Sequence, residues 1–219
     1  MDWRLVVLIP TFTAFSMLLL GLTLFRISLS KKWPLVLLAA FILANVFSLP
    51  VFLTYTEALN PMLIILSQAI LIQVIFRLKI LHALMVVFLG ALGYTIYLAI
   101  VLLIIWSLTN IPLADYFERL DSSYFYFKIV AALLADFTAY VLVKRRMGFT
   151  VRVELKPTQY ERSRKNMLLL VLVFTFLLFS STYYAVNLEF TYIFYFVAGF
   201  CLLLGWIIYL LYRKEMEDI

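Results

Sequence analysis

An all-α, polytopic bundle of transmembrane helices with about seven spans is the architecture this sequence predicts, and three observations predict it. Of the 219 residues, 66% are hydrophobic and only 14% charged, with a mean hydropathy of +1.06; a water-soluble domain of this size cannot hide that much apolar surface. The apolar residues gather into seven stretches near 5–26, 34–55, 60–76, 81–107, 124–143, 167–186 and 190–212, each close to or above the roughly 20 residues that carry a helix across a hydrocarbon core. The connectors between them are rich and poor in Lys and Arg in alternation.

The first stretch follows Met1-Asp2-Trp3-Arg4 directly, without a basic leader or a small-x-small cleavage site, and so reads as a first span and not a removable signal. Spans two and three are separated only by Thr56 to Leu59, and spans six and seven only by Asn187 to Glu189, which makes each pair an antiparallel hairpin. The stretch 81–107 exceeds a bilayer's needs and must tilt or project. The longest polar segment, from about Lys144 to Asn166, is too short for a soluble core, so residues 1–219 form a single membrane domain.

Of the 18 Lys and Arg, Arg4, Arg119 and Lys128 fall on one side; all the others fall on the opposite side, around Arg26, Lys31, Lys32, Arg77, Lys79, the 144–165 segment, Arg213 and Lys214. The positive-inside rule then puts the N-terminus outside and the C-terminus in the cytoplasm. Trp3 and Trp106 at outer span ends, Trp33 at an inner one, and Tyr116, Phe117, Tyr124 and Tyr126 on the outer side make an interfacial aromatic belt. The net charge of +6 reads as topology determinants and contacts to the anionic inner leaflet, not as a nucleic-acid surface. This loop pattern reads as that of a multi-pass protein of a cell membrane.

Asp136 is the one carboxylate well inside a span, and burying it there costs about 2.5 to 3.5 kcal/mol on insertion scales unless it is compensated. Lys128 lies eight residues earlier, about 12 Å along the axis and too far to pair within the helix. Tyr140 is one turn later on nearly the same face and is placed to donate its hydroxyl. Counting from the inner span ends puts Asn45, Gln68 and Asp136 in one layer, roughly 10 to 17 Å above the inner interface. The expectation is a shared polar network that is either a ligand or coupling site, a conformational switch, or interhelical hydrogen-bonding glue.

Catalytic machinery is not in view. His82 is the single histidine and Cys201 the single cysteine, in different spans, which excludes an intramolecular disulfide and a thiolate metal cluster and leaves a Cys–His nucleophile without its partner. No enzyme activity, cofactor or metal is expected. Gly90 and Gly93 in span four, with Ala198, Gly199, Cys201 and Gly205 in span seven, are small residues suited to close helix packing. The inner segment carrying Lys144, Arg145, Arg146, Arg152, Lys156, Arg162, Arg164 and Lys165 against Glu154 and Glu161 is a surface for anionic headgroups or for a cytoplasmic protein partner. The outer segment from Thr109 to Ser123, with Glu57 and Glu189, is acidic and aromatic, suited to a cationic or hydrophobic ligand such as a peptide.

Phe76-Arg77-Leu78-Lys79 leading into Gly90-Ala91-Leu92-Gly93-Tyr94, and the ending Tyr212-Arg213-Lys214-Glu215-Met216-Glu217-Asp218, together with the span layout, resemble the N-terminal sensor domain of the peptide-sensing histidine kinases of Gram-positive bacteria, the accessory-gene-regulator type. The resemblance implies a sensor or receptor-like protein that passes an extracellular or membrane signal to a cytoplasmic partner such as a histidine kinase. It departs where the chain reaches Ile219 without a dimerisation helix, phospho-accepting histidine or ATP-binding motifs, implying a sensor without its kinase, acting through a partner or as a decoy. The substrate-binding membrane subunit of a vitamin-type importer, docking transport subunits and using the Asp136 layer for its ligand, and a structural assembly factor are the alternative readings.

Overall fold

Five helices follow one another through the first two thirds of the chain: α1 (Trp3–Leu24), α2 (Trp33–Phe47), α3 (Asn60–Phe76), α4 (Ile80–Thr109) and α5 (Asp121–Lys144). They come from a computed structural model that describes residues 3–29, 32–47, 60–109 and 121–149, with 198, 199, 201, 202, 205, 206 and 209. No strand occurs among the described residues. Each of the five falls in one of the first five expected stretches, α2 covering 33–47 of the expected 34–55, whose residues 48–55 lie outside the described residues. The expected sixth, 167–186, lies outside the described residues, and of the seventh only those isolated positions are described, all helical. The chain divides into two units, Met1–Gly148 and Phe149–Ile219, and all five helices belong to the first.

Helix starts are written in the sequence. Trp33-Pro34 and Asn60-Pro61 place proline at the first helical turn, where its missing N–H costs nothing and its fixed φ suits the helix. Pro10 sits deeper, inside α1, and deprives the Val6 carbonyl of its usual donor.

Three helices end alike. Arg26, Arg77 and Arg146 have φ of 51°, 56° and 53°, the left-handed conformation of a Schellman cap. The closing bonds are present each time: Ile27 N–H to Leu22 O at 3.0 Å, Leu78 N–H to Gln73 O at 3.2 Å, and Met147 N–H to Leu142 O at 3.0 Å. An apolar residue follows the cap in all three, as this motif prefers. Glycine is the usual occupant because a side chain there costs about 1–2 kcal/mol; the positive charge offsets part of that at the negative end of the helix dipole.

The packing makes a ring with one diagonal. α1 packs against α2, α4 and α5, α4 also against α3 and α5, and α2 against α3. α1 is accordingly enclosed by three neighbours, with Leu18, Leu22 and Ser16 at 1% exposure or less. Its crossing with α4 is glycine-made. A Cβ on Gly21 would run into the Val86 carbonyl, and one on Gly90 into the Met17 carbonyl and to 3.1 Å from the Gly21 nitrogen. The pairing of 17 with 90 and 21 with 86 makes the two helices antiparallel. Gly93 adds a notch for Leu20, whose Cδ2 would be 2.7 Å from a Cβ there. On the other side α5 presents the stripe Ala131, Ala132, Ala135 and Ala139 to α1 and α4, again allowing close backbone approach.

The outer faces are apolar as well. α3 turns Ile65, Ala69 and Ile72 inward and Leu66, Ile70 and Val74 outward, the last 70% exposed. α5 does the same with Val130, Leu133 and Phe137 outside its alanine stripe. A helix that is apolar on both faces belongs in a larger core or in lipid. Two stretches, His82–Ile105 and Tyr126–Lys144, are long and apolar enough to cross a membrane.

Candidate functional site

A polar contact inside this bundle lies between α1 and α5. The Ser16 hydroxyl of α1 stands beside the Asp136 carboxyl of α5, at a place where the two helices run parallel, since further along Gly148 beyond α5 meets Leu24 at the end of α1. The contact is incomplete: neither Ser16 Oγ nor Asp136 Oδ1 has a hydrogen-bond partner among the described residues. Several threonine hydroxyls settle on their own helix backbone. Thr13 Oγ1 donates to Pro10 O at 2.9 Å, Thr23 Oγ1 to Leu20 O at 2.9 Å, Thr95 Oγ1 to Ala91 O at 2.9 Å and Thr138 Oγ1 to Ala135 O at 2.8 Å. Ser16 has the same option one turn back and does not take it.

Asp136 itself is half-buried, with Ala135 and Ala139 fully buried on the same helix. The small alanines bring α1 near enough for a serine, a short side chain, to reach the carboxyl. Leaving a buried hydroxyl or carboxyl oxygen unpaired costs about 1–3 kcal/mol, and a group left so in a native structure marks a strain reservoir, a functional group or the seat of a bound water or ion.

The other members of the expected layer are distributed differently. Tyr140 is 60% exposed, and Lys144 Nζ lies 5.8 Å from its ring centroid, so the aromatic faces outward and Ser16 takes the place beside Asp136 expected for the Tyr140 hydroxyl. Asn45 Nδ2 donates to Phe41 O of its own helix at 2.7 Å. Gln68 is 1% exposed, with Nε2 lacking a partner among the described residues, on α3, which packs on α2 and α4. No hydrogen bond runs from Gln68 Nε2 to Asp136 Oδ1. Among the described residues there are thus two separate incomplete polar positions, one on α3 and one between α1 and α5. Depth arithmetic reaches Ser16 as well, ten residues before Arg26; a serine raises no alarm in an apolar run because it normally bonds its own helix.

At the end of the bundle lie the basic connectors. Lys32, just before α2, donates from Nζ to Ile75 O at 2.7 Å and sits 4.8 Å from the Phe76 ring centroid, which brings the α1–α2 connector to the end of α3. With Gly148 against Leu24 and Thr23, the exits of α1, α3 and α5 gather at one end. Lys144, Arg145 and Arg146 are exposed there; Arg152, Lys156, Arg162, Arg164 and Lys165 lie outside the described residues. Trp33 at this end is 54% exposed. At mid-bundle, Tyr94 Oη donates to Lys128 O at 3.3 Å, tying α4 to α5. Among the described residues no three His, Cys, Asp or Glu side chains come together to hold a metal ion, and Cys201 is exposed. Gly199 and Gly205 meet nothing within 4 Å among the described residues.

No family model matches the chain, and no curated protein or solved structure matches it.

Proposed function

We propose that this chain is a multi-pass cell-membrane protein of sensor or receptor type, in which the Ser16–Asp136 contact between α1 and α5 is the element that changes when a signal arrives. The carrying observation is that a carboxylate and a fully buried hydroxyl face each other across two helices and leave Ser16 Oγ and Asp136 Oδ1 unpaired. A completed bond would be structural glue. An uncompleted one leaves a second arrangement of α1 against α5 within reach of a modest binding energy, which is what a two-state element needs.

The membrane part of the reading is supported by apolar outer faces on α3 and α5 and by the two long apolar stretches of α4 and α5. Seven spans with the N-terminus outside and the basic end in the cytoplasm are the topology we adopt, supported by Arg26, Lys32, Arg77, Lys79, Lys144, Arg145 and Arg146 all belonging to one end of the bundle. The signal enters from outside or from the bilayer and leaves through α5 into the basic segment that follows it, where a cytoplasmic protein receives it, a histidine kinase if the resemblance to the peptide-sensing kinases holds.

Affinity purification of the tagged chain from native membranes after mild crosslinking tests this. Recovery of a histidine kinase, a response regulator or a secreted peptide supports the sensor. Recovery of ATPase and transport subunits replaces it with the importer reading.

A further inference from the structure

The exit of α5 that carries Arg146 lies against the exit of α1 that carries Arg26. The chain leaving α5 folds onto the C-terminus of α1 at Gly148, whose φ of +135° suits glycine alone. A Cβ there would stand 2.6 Å from Leu24 O and 3.2 Å from Arg26 Cγ. Two residues before it comes Arg146, exposed like Arg26 and flanked by exposed Lys144 and Arg145. Asp121 and Asp136 are the acidic residues among those described. The first opens α5 at its far end and the second lies eight residues before Lys144, about 12 Å back along the axis. Exposed arginines on adjoining helix exits, with no carboxylate beside them among the described residues, attract an anion, and the planar fork of a guanidinium matches the oxygens of a phosphate.

The backbone sharpens this. Both arginines occupy left-handed cap positions where glycine is favoured. The turn therefore forms more easily without them, and what they add is the side chain. Beside them the surface is apolar and open: Val143 on α5 is 61% exposed and Met147 just after it 45%. A charged level beneath an apolar wall is the profile of a phospholipid, headgroup below and acyl chain above.

The geometry points to a phosphate site between Arg26 and Arg146 that takes the headgroup of an anionic phospholipid, with its acyl chain along Val143. The inference rests on the membrane reading of the chain, which extraction of native membranes with alkaline carbonate checks separately.

The test uses the full-length chain in nanodiscs of phosphatidylcholine alone or with added phosphatidylglycerol, read by thermal melting and by native mass spectrometry of retained lipid. Phosphatidylglycerol is expected to raise the wild-type midpoint by about 5 °C and to be retained in preference to phosphatidylcholine. The double variant Arg26→Gly/Arg146→Gly, which keeps both turns, is expected to melt no lower than wild type in phosphatidylcholine and to lose the response to phosphatidylglycerol. Arg26→Gln/Arg146→Gln, which keeps the backbone strain, loses the response too. An undiminished response in both variants, no preference of the wild type for phosphatidylglycerol, or the full shift on adding inorganic phosphate to phosphatidylcholine discs would each overturn the lipid site.

Discussion

Gly21 of α1 and Gly90 of α4 face each other across an antiparallel crossing in which each helix presses on the other's main chain: the Gly21 position meets the Val86 carbonyl and comes within 3.4 Å of the Gly90 Cα, and the Gly90 position meets the Met17 carbonyl. Neither neighbour is a side chain that can swing away. The crossing of these two central helices is therefore set by the absence of two methyl groups.

Gly90→Ala or Gly21→Ala is expected to force α1 and α4 apart and destabilise the bundle by about 1–3 kcal/mol. Thermal melting in detergent checks it. Gly93→Ala is milder, because the obstruction is the end of the Leu20 side chain; an equal loss at positions 90 and 93 contradicts the distinction.

Ser16→Ala removes a buried hydroxyl that makes no hydrogen bond to the described residues. The variant is expected to be at least as stable as wild type, by up to about 1 kcal/mol, while losing the response to signal, the usual exchange when a strained functional group is removed. Asp136→Asn is expected to lose the response as well. A reporter driven by the recovered partner, measured beside the melting curve, decides; a destabilised but responsive Ser16→Ala would make the hydroxyl structural.

Much of this bundle is legible in the sequence because apolar runs of span length have few alternatives. Five of the expected apolar stretches hold helices, two of them long and apolar enough to cross a membrane, and Gly90 and Gly93 are packing positions as their size implies. Which helices touch is not legible. Asn45, Gln68 and Asp136 share a depth, but depth fixes one coordinate and says nothing of rotation about the helix axis. Tyr140 faces outward although it is one turn from Asp136. The polar neighbour of Asp136 comes from α1, a helix that looks featureless because its polar residues after Arg4 are serine and threonine. The arginine caps are hidden for another reason: the cap signal read from sequence is glycine, and Arg26, Arg77 and Arg146 adopt its conformation without it.

Lys32→Met deletes the donor to Ile75 O and the cation over Phe76 while keeping the length of the stem. The expected loss is about 1 kcal/mol, localised to the end of α3. Hydrogen exchange at the amides of residues 75–79 is expected to accelerate with the rest of α3 unchanged; uniform acceleration along the helix would show a global effect instead.

Tyr94→Phe removes a long hydrogen bond of 3.3 Å to Lys128 O but keeps the buried ring. A change within about 0.5 kcal/mol is expected, against a loss of about 3–5 kcal/mol for Tyr94→Ala, which opens a cavity in the cluster of Leu20 and Ala131. Comparable losses for the two variants in thermal melting would mean that the hydroxyl, not the ring, joins α4 to α5.

The sensor reading and the lipid site both require the arginine-capped end of the bundle to face the cytoplasm. Cysteines placed singly at Ser28, Lys79 and Met147 at that end and at Thr109 and Asp121 at the other, in a Cys201→Ser background, report it through labelling of intact and permeabilised cells with a membrane-impermeant maleimide. The predicted result is labelling of 109 and 121 in intact cells and of 28, 79 and 147 only after permeabilisation. The reverse pattern, or labelling of both ends in intact cells, would contradict it.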